Sequence, residues 1–371
     1  MKTNNYLWSM LVTATFVLTG CGSDENGITD PLPQGKTAQL ELCLTGSGVN
    51  TKATGSALPT QAEENTVKRF TVAIFNSDES VNAIQTVTDN TTSATTINCT
   101  PATNCTGIVV ANTPTDGYFS GVLNKTDFLK KTITLDDAQT KDCLPMSGDV
   151  KDGSGNATFT LSAGSNTGMT AQLSRLVARV SVSSIKTAFD PNGQYSAASY
   201  ELKNIFVRNA VKEAVPGTSG YSTTKMETPA YLTGTYTGSS GTAAYLANAV
   251  TPGVDVSTEH KTDYWFYILP NEETTHTALV LEGTFKKNAS DAGSTIYYPI
   301  IVNKSQTGTT LTGTAGTGTS NIARNTTYAI KATIKNIGTD DPTGEINPTS
   351  PELTVSVANW ALDITQDVTF E

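Results

Sequence analysis

Short segments in which apolar and polar residues alternate recur along this chain of 371 residues and constrain its fold more than any other feature. In residues 38–44, for example, Ala38, Leu40, Leu42 and Leu44 occupy every second position. A period of two is the spacing of a β-strand that buries one face. Helix-period and heptad patterns are almost absent, whereas Thr, Val, Tyr and Gly favour strands joined by turns. We therefore expect an all-β fold and exclude coiled coils and helical bundles.

Strand signals of this kind continue along the whole chain. The predicted strands cover residues 38–44, 67–75, 108–111, 131–135, 157–161, 173–182, 200–208, 263–269, 278–286, 296–302 and 327–334. Residues 125–130 are predicted to form one helical turn, residues 144–148 a turn, and residues 232–242 and 305–319 loops. Short strands with regularly spaced turn signals indicate antiparallel β-sandwiches. Because a domain holds ~150 residues, the length predicts roughly two domains, with a boundary near residue 165.

The acidic balance of the chain excludes one class of partner. With 24 Lys and Arg against 34 Asp and Glu the formal charge is −10, so the chain is not expected to bind a nucleic-acid backbone. The sequence has two histidines, His260 and His276, and lacks a nucleophile elbow and a phosphate-binding loop, so we predict no enzyme. Neither histidine lies at ligand spacing from the cysteines, so we predict no metal site and no cofactor.

Residues 1–20 have the architecture of a secretory signal peptide. A positive charge precedes an apolar stretch that is shorter than the ~20 residues of a membrane-spanning helix. Residues 18–21 resemble the bacterial lipobox, which predicts cleavage between Gly20 and Cys21 and attachment of lipid to the Cys21 sulfur. The alternative is ordinary cleavage that leaves Cys21 as a thiol. Residues 22–25 resemble the acidic tag that sends Bacteroidetes lipoproteins to the outer face of the outer membrane. The alternative is that these acidic residues solvate a flexible tether.

Export would place the other four cysteines in an oxidising compartment, where disulfides persist. Cys43, Cys99, Cys105 and Cys143 allow three pairings. Cys99 and Cys105 flank a turn-forming stretch that can bring them within bridging distance, so we favour a bridge between these two. Cys43 and Cys143 are then expected to be small, partly buried thiols.

The tail of the chain is the longest alternating segment. Its apolar residues on one face are Trp360, Leu362, Ile364, Val368 and Phe370, with Gln366 as the polar exception. A strand this long needs an apolar groove, and an exposed apolar edge strand invites pairing with another chain. Pro342, Pro348 and Pro351 mark a linker at residues 339–351, which we expect to keep the tail from folding back onto its own chain. The alternative is an ordinary last strand of the second sandwich.

Taken in order, several segments resemble those of the fimbrillins, the pilin subunits of Bacteroidetes type V pili. The matching segments are the lipobox ending in Cys21 and residues 67–75, 144–148, 173–182, 266–271, 324–330, 333–334 and 353–360. Each segment alone is a weak signal, but their order and spacing are fairly specific, and together they cover almost the whole chain.

The resemblance implies two tandem transthyretin-like antiparallel β-sandwich domains with a C-terminal extension strand. The implied division is a lipoprotein signal peptide (residues 1–20), a propeptide with a removable first strand (21–52), an N-terminal β-sandwich (53–165), a C-terminal β-sandwich (166–338), and a linker with a donor strand (339–371).

The resemblance also implies a route of assembly. A lipidated precursor reaches the cell surface, where a trypsin-like protease cuts it, the first strand leaves, and a strand from another subunit fills the groove. Leu40, Leu42 and Leu44 match the displaced strand, and the cut falls between Lys52 and Ala53. Arg is the commoner residue at this position, and an Arg-selective protease would leave Lys52 intact.

We therefore predict a structural pilin subunit that forms adhesive surface fimbriae. Its implied partners are other copies of itself, other pilin subunits, a trypsin-like surface protease, a host glycan or protein, and the outer membrane through the lipid anchor before processing. The alternative is a surface adhesin, or an anchor or tip subunit, that binds glycan or protein. The aromatic residues 264–267 could stack on sugar rings, although such a run more often packs inside a central strand. A tip subunit is expected to lack a donor tail, and this chain has one.

Overall fold

β-Strands form nearly all the regular structure in the computed structural model, which describes residues 37–45, 58–88, 95–216, 230–236, 242–305, 309–312, 318–344 and 362–370. The first strands are β1 Ala38–Thr45, β2 Phe70–Phe75, β3 Val81–Val87, β4 Thr95–Cys99, β5 Ala102–Ala111, β6 Ile133–Thr134, β7 Met146–Lys151, β8 Thr158–Leu161, β9 Gly164–Gln172 and β10 Ser174–Arg175. The later strands are β11 Ala178–Thr187, β12 Ser199–Arg208, β13 Ala210–Val211, β14 Glu213–Ala214, β15 Tyr231–Gly234, β16 Thr242–Ala243, β17 Ala247–Asp255, β18 His260–Ile268, β19 Ala278–Lys286, β20 Ser294–Ile301, β21 Thr309–Thr312, β22 Thr326–Ile334 and β23 Leu362–Phe370. The helices are α1 Gln61–Glu64, α2 Lys125–Leu129 and a 3-10 turn at Ala244–Leu246.

The fold is all-β and sandwich-like, as the alternating pattern predicts. The helical turn expected at residues 125–130 is confirmed as α2. None of the helices in the described part of the chain has both the length and the apolar character that a membrane crossing requires.

The N-terminal strands form one large sheet in the order β3-β2-β5-β7-β9-β1-β4, with β8 paired to β5 and β10 to β7. Strand β2 is buried at all six positions. Phe70, Val72 and Ile74 belong to the main core cluster, whereas Ala73 and Phe75 belong to a second cluster that includes Phe128 of α2. Because both faces of β2 are covered, its sequence is a continuous apolar run instead of an alternation.

The C-terminal strands form two principal sheets, β18-β11-β22-β23-β21 and β17-β12-β19-β20. Both sheets contribute to the same buried cluster, for example through Val180 of β11 and Leu281 of β19. Within that cluster Tyr200 and Tyr298 meet edge to face, with ring centroids 5.1 Å apart. Such contacts add to the free energy of burial because the edge of one ring is positive and the face of the other is negative.

Several local predictions are wrong. The turn predicted at residues 144–148 ends in strand β7, and a Cβ on Gly148 would lie 2.1 Å from the carbonyl oxygen of Gln172, so only glycine fits this close approach. The strand predicted at 131–135 shrinks to β6. The segments predicted as loops contain all of β15 except Tyr231, the first residue of β16, and all of β21. Strands β3, β4, β9 and β17 had no clear sequence signal. The predicted boundary at residue 165 lies inside β9, which pairs with β1 and β7, and the domain limits remain a prediction.

Candidate assembly site

Strand β1 lies inside the N-terminal sheet, parallel to β9 and antiparallel to β4. The side chains of Ala38, Leu40 and Leu42 are fully buried, and Leu44 is 8% exposed. The predicted alternation over residues 38–44 is therefore confirmed. The three leucines that the sequence assigns to a removable strand form part of the main core cluster.

The neighbours of β1 depend on it for their pairing. Among the described strands, β4 has a ladder with β1 alone, in which Leu40 lies opposite Ile97. On the other side, β9 is joined to β7 only through the pairs Val150–Ala171 and Lys151–Thr170. If β1 left, the two strands would face each other across an open apolar slot. We call this space, between β4 and β9, the β1 slot.

Sequence reasoning missed both walls of the β1 slot. Strand β9 is mostly polar and exposed, and only Met169 and Ala171 are buried. In β4 the buried residues are Ile97 and Cys99. Each wall carries just two alternating apolar residues, which is too short a pattern to distinguish from a loop.

Cys99 and Cys105 are both buried, and the structure holds them as free thiols, as it does the half-buried Cys143. Burial, with a smaller contribution from the neighbouring Cys105, raises the pKa of Cys99 to about 11. Burial also raises the pKa of Cys105. Both thiols therefore stay protonated at neutral pH, and a protonated thiol is a poor nucleophile. The Cys99–Cys105 bridge is not formed here and remains a prediction, and the side chain of Cys43 lies outside the described residues.

The tail strand β23 pairs within its own chain. It runs parallel to β22 from Leu362, opposite Thr326, to Phe370, opposite Ile334, and antiparallel to β21. The expectation that prolines keep the tail from folding back is thus wrong for the single chain. All three prolines precede residue 352, so they interrupt only the linker and leave β23 with every backbone donor. Of Leu362, Ile364, Val368 and Phe370 the structure describes the backbone, and Trp360 lies outside the described residues.

The segment that follows the predicted cut is fixed to the C-terminal strands. Helix α1 begins with a capping box: Thr60 Oγ1 accepts from the Glu63 amide at 3.3 Å, and the Thr60 amide donates to Glu63 Oε2 at 2.9 Å. The next residue, Glu64, is fully buried. Its carboxylate accepts from Arg179 Nη1 at 2.8 and 2.9 Å and from the Tyr267 hydroxyl at 2.7 Å.

Two further arginines extend this buried network. Arg175 donates from Nε to the Glu64 carbonyl oxygen at 3.0 Å and from Nη1 to Asn325 Oδ1 at 3.0 Å. Arg324 donates to the Arg175 carbonyl oxygen at 3.1 Å and to Ser147 Oγ at 3.0 Å. Burial lowers the pKa of Arg324 to about 10, which still leaves it charged at neutral pH.

We call Glu64, Arg175, Arg179 and Tyr267 the Glu64 clamp. It fastens residues 58–66 to β10, β11 and β18, so this segment would keep its place in the fold after a cut before residue 58. The clamp was not predicted, although Arg175 and Arg179 in the mostly apolar segment 173–182 were its available signal. Among the described residues no three His, Cys, Asp or Glu side chains are placed to hold a metal ion.

The predicted processing residues lie outside the described part of the chain. This applies to Gly20 and Cys21 at the lipobox and to Lys52 and Ala53 at the proposed cut. In the sequence, Lys52 and Ala53 fall between Thr45, the last residue of β1, and residue 58, where the described chain resumes next to the clamp. These four residues remain predictions from the sequence.

Two family models match the chain. A model of the major fimbrial subunit protein, FimA, matches residues 38–175, and a model of the FimA4 pilin C-terminal domain matches residues 286–360. Together they cover more than half of the chain, including β1, both walls of the β1 slot and all of β22. No curated protein sequence matches it.

Solved structures agree in fold along almost the whole chain. The fimbrilin of Porphyromonas gingivalis W83 superposes with a TM-score of 0.60 at 20% identity, covering 91% of this chain and 98% of its own. A Bacteroides eggerthii protein assigned to cell adhesion gives 0.59 at 22% identity, covering 92% and 100%. A Parabacteroides distasonis protein, also assigned to cell adhesion, gives 0.58 at 19%, covering 91% and 99%. The shared fold and the two matching family models lead to one conclusion: the chain belongs to the fimbrillin family of fimbrial subunits.

Proposed function

We propose that this protein is a structural pilin subunit that is exported as a lipoprotein and polymerises by protease-triggered β-strand exchange. Membership of the fimbrial subunit family assigns it a structural, pilin-type role at the cell surface, with other pilin subunits as its partners. The export route, the protease and the exchange of strands are the parts that we add. The observation that carries the proposal is the position of β1.

Strand β1 is the only ladder partner of β4 among the described strands, and it contributes three buried leucines. Burying a leucine contributes roughly 1.5–3 kcal/mol, so the three together contribute on the order of 5–9 kcal/mol. That is comparable to the whole net stability of a domain, about 5–15 kcal/mol. A subunit that lost β1 would therefore need another apolar strand in the β1 slot, which gives assembly a large driving force.

The tail has the properties that such a donor strand requires. Leu362, Ile364, Val368 and Phe370 share the period of two of Leu40, Leu42 and Leu44. Strand β23 forms a parallel ladder with β22, and β1 forms a parallel ladder with β9. A tail that pairs in this way with β22 could therefore pair in the same way with β9 in the β1 slot. Gln366 is expected at the end of the slot that Leu44 occupies, the most exposed of its positions.

Processing would begin at the N-terminus. Signal cleavage before Cys21 and lipidation of that residue would anchor the precursor to the outer membrane. Cleavage after Lys52 would then allow residues 21–52, including β1, to leave, while the Glu64 clamp holds the new N-terminal segment against the C-terminal strands. A protease of the trypsin class fits this step, because such enzymes cut after Lys or Arg and the cut follows Lys52.

The test is filament assembly in cells that express the full chain. Replacing Leu362 or Ile364 with Asp should abolish filaments, because a carboxylate without a partner costs several kcal/mol to bury in the slot. Thr365→Asp introduces the same charge on the opposite face of the tail and is the matched control, which should still assemble. Deleting residues 352–371 should leave a folded, soluble monomer. If the truncated chain still forms filaments after cleavage at Lys52, the donor strand lies elsewhere.

A further inference from the structure

A groove of about 640 Å³ lies beside strands β17 and β18, far from the β1 slot in the sequence. These two strands are the end members of the two principal C-terminal sheets. The 3-10 turn contributes Tyr245, β17 contributes Asn248, and β18 contributes most of the remaining wall. The volume falls within the range of about 300–1,000 Å³ that is usual for small-ligand sites.

The aromatic run at residues 264–267 divides at this groove. Phe266 and Tyr267 are buried, as expected of core residues, although Phe266 also borders the groove, whereas Tyr264 and Trp265 are only half-buried and line it. Tyr245, also half-buried, adds a third ring to the wall. Half-exposed rings offer flat apolar faces that are open to a ligand.

Polar groups stand among these rings. Asn248 and the exposed Asp263 offer hydrogen-bonding groups from neighbouring strands. His260 also lines the groove, and its Nε2 atom is buried without a hydrogen-bond partner among the described residues. A buried polar atom without a partner is rare in folded proteins, and a ligand hydroxyl in the groove would supply the missing partner.

We propose that this groove binds a saccharide. A sugar ring presents an apolar C–H face that stacks on aromatic side chains and a rim of hydroxyl groups that donate and accept hydrogen bonds. The groove supplies both kinds of partner, in the half-buried ring of Trp265 on one hand and the polar groups of Asn248, Asp263 and His260 on the other.

The charges around the groove favour a neutral sugar over an acidic one. Lys261 and Asp263 are both exposed in its wall and offset each other, and the carboxylates of Asp136 and Asp137, which act on Tyr245, leave the surroundings net negative. Burial, followed by these two carboxylates, raises the pKa of Tyr245 to about 12. Its hydroxyl is therefore neutral and able to donate to a sugar oxygen, while an anionic sugar would meet like charge.

A β-strand from another chain that paired with the edge of β18 would be the alternative to a saccharide, and the structure disfavours it. The side-chain amide of Gln139 donates to the carbonyl oxygen of Tyr267 at 3.3 Å, and the amide of Tyr264 donates to Thr262 Oγ1 at 3.3 Å. Side chains therefore already occupy backbone groups of β18 that an incoming strand would need.

Saturation-transfer NMR on the full chain tests the proposal with four probes: methyl α-D-mannopyranoside, methyl β-D-galactopyranoside, N-acetyl-D-glucosamine and N-acetylneuraminic acid. At least one neutral probe should bind in the millimolar range or tighter, and the acidic probe should bind more weakly. Trp265→Ala should weaken binding about tenfold or more, which corresponds to about 1.4 kcal/mol. Tyr231→Ala, which removes a half-buried tyrosine of β15, is the matched control and should bind normally.

Two further variants keep the test decisive if Trp265→Ala fails to fold. Trp265→Phe retains a ring and should bind with intermediate affinity, and Asp263→Ala alters only an exposed side chain and should weaken binding. The proposal fails if no neutral probe binds, or if binding survives in both Trp265→Ala and Asp263→Ala. It also fails if a peptide of residues 360–371 binds at Trp265 and the sugars do not, since the groove would then accept strands.

Discussion

Glu64 and Arg179 form a buried ion pair, in which both carboxylate oxygens accept from the same guanidinium nitrogen at 2.8 and 2.9 Å. Glu64 is fully buried and Arg179 is 6% exposed. The pair joins the segment that follows the predicted cut to strand β11 in the C-terminal half. Breaking such a pair costs more than the pair contributes, because the remaining charge stays buried alone.

We expect Glu64→Ala to lower the free energy of unfolding by about 3–5 kcal/mol, since Arg179 would lose its counter-charge. Urea denaturation of the full chain measures this change. The matched control is Glu201→Ala, which breaks the exposed pair with Lys203 and should cost at most about 1 kcal/mol. Equal losses in the two variants would show that the buried pair does not hold the segment in place.

The stability of the protein should fall in acid partly because of Glu63. A hydrogen bond from Lys141, then one from the Thr60 backbone, lowers the pKa of Glu63 from 4.5 to about 2. A lowered pKa means that the carboxylate stabilises the folded state fully above pH 4.5, and that this contribution is lost as the pH falls towards 2.

Glu63→Gln should therefore lower the free energy of unfolding at neutral pH. It should also make the fall of that free energy between pH 4.5 and pH 2 less steep. Denaturant midpoints measured across this range provide the comparison. Glu259→Gln changes an exposed carboxylate and serves as the control. Its stability should fall with decreasing pH as steeply as that of the parent chain. If the stability of Glu63→Gln fell with pH as steeply as that of the parent chain, the Glu63 carboxylate would not be a source of the acid sensitivity.

The mature subunit should begin at Ala53. Lys52 lies in a polar, Gly-containing segment between β1 and the Glu64 clamp, and such connections are readily cleaved. N-terminal sequencing of surface filaments should find Ala53, and Lys52→Gln should leave the precursor uncut. Lys52→Arg should still be cleaved by a protease of the trypsin class. Filaments built of subunits that retain residues 21–54 would rule this out.

The cysteine pair can be checked by peptide mapping without reductant. We expect a Cys99–Cys105 bridge in exported protein, with a gain of about 2 kcal/mol from closing the short loop. Because burial raises the pKa of both thiols, oxidation should precede burial of β4 and β5. Two free thiols, or a Cys43–Cys143 bridge, would contradict the prediction, and Cys143→Ser is the control that should leave the mapped bridge unchanged.

The sequence by itself determined the features that depend on neighbouring residues. The alternation of Leu40, Leu42 and Leu44 predicted β1 with an error of one residue at its end, and strand β19 at residues 278–286 was predicted with its observed bounds. A period of two is visible locally, because successive side chains of any strand point to opposite faces. The order of several such segments was also enough to indicate the family.

Only the tertiary structure decided which elements meet. Leu40 lies opposite Ile97, a residue of a strand too short to recognise, and Glu64 meets Arg179 across 115 positions of sequence. The tail pairs with β22 although three prolines precede it. Pairing of this kind depends on which edges remain free and which charges must be neutralised once the core has formed. These are properties of the packed molecule, and no window of the sequence contains them.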